Sequence, residues 1–262
     1  KDIFLFYYLA KKLDIIGVGE SRENLVSGFI LKWVRDGIIT IREKESGAIV
    51  KKKNYDMYLD VDAKFENKQE TALYKMFIHA SKDGVLQTKA FQKWCSKHYK
   101  KIDDWFTKVD NVTEDSMNKN GYAKTKTIYK RLLFWNIPHD RTVWTDKAYD
   151  QCLYVWGFNN FLEDEDNMKE KAAIEVKLWD EYLIFAAVLG IADRVEKQLK
   201  VAIPRYEETS TYNNFPIYYY THTFAHNSMS AASSAASAGQ GGSSSFSGGG
   251  GGFSGGGGGG VR

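Results

Sequence analysis

SRENLVSGFILKWVRDGIITIREKESGAIVKKK (Ser21–Lys53) is the stretch that decides the fold. Ser21 is a natural N-cap with Asn24 three residues on, and apolar residues then recur at helical spacing, Leu25, Phe29, Ile30 and Trp33. The pattern predicts an amphipathic helix over Arg22–Asp36, stopped by Gly37 in the left-handed conformation that ends many helices. The β-branched run Ile38–Arg42, the polar turn Glu45-Ser46-Gly47 and Ala48–Lys52 then predict a β-hairpin. Helices followed by a basic hairpin have the outline of a winged-helix unit.

Working outward, Ile3–Leu13 places Phe6, Leu9 and Leu13 on one helical face, and Gly17–Gly19 breaks it. Downstream, Glu70–Ala80 and Lys89–Phe106 read as helices, using Leu73, Phe77 and Ile78, then Phe91, Trp94, Ile102, Trp105 and Phe106. A polar stretch, Val112–Tyr122, leads into Tyr122–Trp135, so the second block loosely repeats the layout of the first. Lys147–Leu162 and Ala172–Lys200 read as a helical hairpin joined by Glu163-Asp164-Glu165-Asp166-Asn167. The middle of the second helix should be buried nearly all round. From Pro204 the periodicity dissolves, and the Ser/Ala/Gly-rich end buries too little apolar surface to offset about 1–2 kcal/mol of backbone entropy per residue. The expected fold class is mainly α with short β-hairpins (α+β). It comprises a winged-helix-like unit over 1–62, a second helical, winged-helix-like unit over 69–140, a C-terminal helical hairpin over 141–203 and a disordered tail over 204–262.

Aromatic residues make up 15% of the chain, enough for a substantial core, and only three prolines interrupt it. With 36 Lys+Arg against 33 Asp+Glu the net charge is +3, far from the imbalance of a dedicated nucleic-acid binder. Cys95 and Cys152 form no CxxC or Cys/His pattern, which argues against a disulfide framework or structural zinc and for a reducing compartment. The most apolar run, Tyr182–Ala192, is about eleven residues, against the roughly 20 a spanning helix needs. The opening on Lys1 is what a fragment or processed chain would show, and no signal peptide follows it.

Catalytic motifs are missing from the sequence pattern. His222 and His226 would share a face only on a helix, and no third ligand is evident beside them in sequence. Glu163–Asp166 lacks the alternating ligands and glycine of a calcium loop, and Gly248–Gly260 lacks the Lys and helix of a phosphate loop. No metal, cofactor or catalytic residue is expected. Cationic side chains are the more informative feature: Arg42 and Lys51, Lys52 and Lys53 flank the expected wing, with Arg22 and Lys32 on the helix before it. Lys89, Lys93, Lys97, Lys100 and Lys101 line a second helix. The first set is the candidate nucleic-acid-binding surface, although Glu23 on the same helix would face phosphates poorly.

RTVWTDKAYDQCLYVWGFNNFLEDEDNM (Arg141–Met168), LWDEYLIFAAVLGIADRVEKQLK (Leu178–Lys200) and the terminal FSGGGGGFSGGGGGG (Phe246–Gly260) together resemble the YciQ-like family of predicted bacterial membrane proteins, domain of unknown function 2207. The resemblance implies a parent protein in the cell membrane, with this region on the cytoplasmic side and a glycine-rich tail. It carries over no functional residues. Many relatives have a hydrophobic hairpin where this chain has only YKRLLFWNIPHD (Tyr129–Asp140). The resulting expectation is a non-enzymatic protein-interaction scaffold with a protein partner at the membrane, with an anionic membrane surface as a further partner. A nucleic-acid-binding winged-helix module and an enzyme whose site assembles only in three dimensions are the alternatives.

Overall fold

The computed structural model describes residues 2–17, 21–46, 52–132, 135–164, 176–202, 212 and 217–240. Helix α1 (Ile3–Lys12) is capped by Asp2, whose Oδ1 accepts from the amides of Phe4 and Leu5 at 2.9 and 3.2 Å. Helix α2 (Ser21–Arg35) follows, ended by Gly37 at φ +72. Strands β1 (Ile39–Ser46) and β2 (Lys52–Leu59) pair antiparallel from Ile39↔Leu59 to Ser46↔Lys52. The second strand therefore lies beyond the expected Ala48–Lys52, of which 48–51 fall outside the described residues. Its pairing register is set by Met57 and Leu59, which sit opposite Ile41 and Ile39 and are buried.

Helix α3 (Lys68–Ala80) is capped by Asn67, whose Oδ1 accepts from the amides of Gln69 and Glu70. Strand β3 (Val85–Gln87) then pairs with Asp56–Tyr58 of β2 and completes a three-stranded sheet in the order β1-β2-β3. The expected units 1–62 and 69–140 thus share one sheet. Helices α4 (Thr88–Lys97) and α5 (Tyr99–Lys119) replace the single helix expected over Lys89–Phe106. They meet at His98, and α5 runs on through the polar stretch because Val109, Thr113 and Met117 continue the buried stripe of Ile102 and Phe106.

A two-stranded ladder, β4 (Ala123–Leu132) and β5 (Trp135–Trp144), pairs from Ala123↔Trp144 to Leu132↔Trp135, so the expected boundary at 140 falls inside a strand. Helix α6 (Asp146–Glu163) matches the expected Lys147–Leu162 closely. The long helix expected over Ala172–Lys200 is two, α7 (Val176–Leu189) and α8 (Ala192–Ala202). Gly190, at φ +80, closes α7: its amide donates to Ala187 and the Ile191 amide to Ala186, a Schellman-type stop.

The expected tail holds the largest correction. Ile217–Gln240 is a 24-residue helix, α9, with Phe224, Ala225, Ser228 and Ala232 buried. Its small residues follow helical spacing, and Ala is the best helix former and loses no side-chain entropy on burial. Tyr212, also in the expected tail, is buried and its hydroxyl lies 3.2 Å from the carbonyls of Leu31 and Asp180. Residues 203–211, 213–216 and 241–262 of that stretch fall outside the described residues.

The middle of α7 is buried all round, as expected, from Leu183 to Leu189. Its main partner is α2: a Cβ at Gly28 would stand 2.7 Å from Val188 Cγ2, so the two helices approach at a glycine. Helix α9 packs on α2 and α4. An aromatic chain links these layers, from Phe29 to Trp33 (5.7 Å between ring centroids), Trp33 to Phe77 (5.2 Å), Phe77 to Phe91 (4.4 Å) and Phe91 to Phe224 (5.1 Å). Burying each such ring contributes about 1.5–3 kcal/mol, so the C-terminal helix is part of the one core.

Candidate interaction surface

The sequence-selected cations do not come together. Arg22 Nη1 pairs with Asp103 at 2.5 Å and its guanidinium covers the Phe106 ring. Lys32 pairs with Glu70 at 2.6 Å and with Asp36 at 3.4 Å, while the Trp33 indole donates to the same Glu70. Arg42 is exposed, with its guanidinium 4.5 Å above the Tyr58 ring. Lys52 and Lys53 lie on β2 opposite Ser46 and Glu45, and Lys51 is outside the described residues. Eleven of the fifteen residues of α2 are buried, because α7 and α9 flank it. It is therefore a core helix. Sequence alone could not show that its cations are matched by carboxylates from α3 and α5. Lys89, Lys93, Lys97, Lys100 and Lys101 lie exposed along α4 and the start of α5.

A further group of cations lies on β4–β5. Ala123–Trp144 holds five Lys/Arg (Lys124, Lys126, Lys130, Arg131, Arg141) against one acid, Asp140. That is a net +4 in a chain whose total is +3. Register places Lys126 directly opposite Arg141 and Lys124 opposite Val143, while Asp140 pairs with Thr127 at the other set of positions. The described side chains from Lys124 to Thr127 are all exposed, as are Tyr129 (69%), Ile137 (48%) and Val143. Among the described residues the ladder is anchored at its base: Ala123 is buried and Trp144 packs on the core. There the Thr145 hydroxyl donates to Gly121 at 2.8 Å, and Lys147 donates to Asn120 and sits 4.5 Å over Tyr122.

Helix α6 carries a separate exposed face. Ala148, Cys152, Val155 and Leu162 face inward, whereas Tyr149 (62%), Leu153 (48%) and Trp156 (56%) are exposed at i, i+4 and i+7. Tyr154, beside that stripe, lines an apolar cavity of about 120 Å3 between α1, α6 and α7, with Phe6, Leu9, Phe158 and Phe185. A contiguous row of large apolar side chains on one helix face is the kind of patch that marks contact with another macromolecule.

Residues 131–199 match the model of the C-terminal domain of a predicted membrane protein family, DUF2207. No curated protein and no solved structure matches the chain. The DUF2207 segment contains β5, α6, α7 and most of α8, so the exposed face of α6 lies inside it and the hairpin straddles its start. Among the described residues no helix is long and apolar enough to cross a membrane.

Outside the DUF2207 segment, His222 and His226 do share one helix face, that of α9. Their neighbour is Glu23 of α2, almost fully buried, with His226 Nδ1 at 3.0 Å from both of its oxygens and His222 Nε2 at 3.9 Å. The signal was the i, i+4 spacing, which meant little until α9 proved helical. Among the described residues no group of three His, Cys, Asp or Glu side chains has the geometry to hold a metal ion. The cluster instead pins α9 to α2. Cys95 and Cys152 are free and buried, and burial pushes the Cys95 thiol up to about 12, which suppresses the reactive thiolate.

Proposed function

We propose that this region is a non-enzymatic interaction module of a membrane protein, a scaffold that holds α6 out to a protein partner at the membrane. The observation that carries the reading is the Tyr149–Leu153–Trp156 row, three large apolar side chains kept in solvent on a helix whose other side is packed. Aromatic anchors of this kind dominate interface energetics. Cytoplasmic placement is supported by the cation excess of the neighbouring hairpin, since Lys and Arg concentrate in cytoplasmic segments of membrane proteins.

The test is site-specific photo-crosslinking in cells, with the probe at Leu153 and a control probe at the exposed Lys108. One discrete adduct from Leu153, lost when Tyr149 and Trp156 are changed to Ser and not formed from Lys108, is expected. Identical adducts from both positions would refute a docking role for α6. Turnover by the purified protein across hydrolase and transferase substrate panels, abolished by a single buried polar substitution, would refute the non-enzymatic reading.

A further inference from the structure

We infer that the β4–β5 hairpin is a docking element for an anionic membrane surface. It concerns a different surface from α6 and stands whether or not α6 binds a protein. Three observations converge on it. The hairpin carries a net +4, and beyond its base its described side chains are mostly exposed. Lys126 and Arg141 face each other directly across the ladder, an arrangement that is destabilising unless an anion sits between them. No carboxylate among the described residues pairs with either, and the only acid of the hairpin, Asp140, belongs to the other set of positions.

The apolar residues choose between anionic surfaces. Ile137 and Val143, at the same set of positions as Lys126 and Arg141, are exposed beside those cations. A duplex phosphate backbone gains nothing from such groups. The boundary between lipid headgroups and acyl chains accepts both kinds, cations at the phosphates and aromatic or aliphatic side chains just below. Lys and Arg near an anionic leaflet act additively and lose strength with salt.

The experiment is co-sedimentation of the full chain with vesicles of phosphatidylcholine alone or with about 30% phosphatidylserine, at about 0.1 M salt. Binding to the serine-containing vesicles only is expected. K126E/R141E should weaken it by roughly tenfold or more. Ile137→Glu should weaken it too, whereas K93E/K97E, the same charge change on α4, should leave more binding than K126E/R141E. Each variant is checked for an unchanged unfolding midpoint, and K124Q/K126Q serves as the milder pair should the reversal unfold the chain. No vesicle binding, equal binding to both vesicle types, or equal loss in the α4 control would overturn the inference. Salt-sensitive binding to random duplex DNA, lost in K126E/R141E while vesicles stay unbound, would overturn it in favour of a nucleic-acid ribbon. Because α6 is unchanged in all these variants, failure here leaves its crosslinking result independent.

Discussion

The two hairpins of this protein begin from the same local recipe and end in opposite situations. Each follows a helix, each pairs antiparallel over eight or ten residues, and each is rich in Lys and Arg. The β1–β2 hairpin gains β3 as a third strand and buries Ile39, Met57, Leu59 and Leu86 against the core. It is also backed by α9, where Tyr220 donates to the Tyr55 carbonyl at 3.0 Å and the two rings lie 5.3 Å apart. Among the described residues the β4–β5 hairpin has no third strand, and beyond its base its described side chains stand mostly in solvent. A lone two-stranded hairpin is marginal in water. One hairpin is thus packed into the core, and the described part of the other stands largely outside it.

The harshest way to break this contrast is to put a charge on each. Met57→Asp buries an unpaired carboxylate under β3 and should cost more than about 4 kcal/mol, enough to unfold the protein in a urea titration. Ile137→Asp on the outer hairpin should shift stability by only about 0.5 kcal/mol or less. Equal losses would mean that the outer hairpin is packed after all.

A somewhat smaller effect sharpens the part played by α9. Phe224→Ala removes the ring stacked on Phe91 and should destabilise by about 3–5 kcal/mol, with amides of β2 losing hydrogen-exchange protection and those of β4–β5 unaffected. If truncation of this ring is neutral, α9 is not part of the core. The smallest effect is chemical. At pH 8 the Cys95 thiol, pushed up to about 12 by burial, stays protonated, so alkylation of the native protein should be negligible and become fast only on unfolding. Rapid labelling of native protein would show that the β3–α4 side opens readily.

Much of the local structure was legible from residue pattern. The apolar period of α2, the glycine at its end and the inward face of α6 each follow from short-range spacing. The concentration of cations in Ala123–Trp144 was legible as well, but it is diluted by the near-neutral chain and was outweighed by the lysines around the first hairpin. Helix α9 was not, because a Ser/Ala-rich segment has the composition of a disordered tail, and only its packing against α2 and α4 supplies the apolar contacts that order it. The sheet that crosses the expected boundary between 1–62 and 69–140 was not legible either, since β3 pairs with β2 across a helix.

By itself, then, the sequence determined the mainly α class with short hairpins, the helices α1, α2 and α6, and the likeness of residues 131–199 to the DUF2207 C-terminal domain. Local propensity, hydrophobic period and glycine stops act over a few residues and leave their mark in the chain. Only the tertiary structure decided that α2 is a core helix, that Arg22 and Lys32 are neutralised by Asp103 and Glu70, and that the second hairpin keeps its charge in solvent. Those outcomes depend on which carboxylates and apolar faces arrive from distant parts of the chain, and pairing over such separations leaves no local pattern to read.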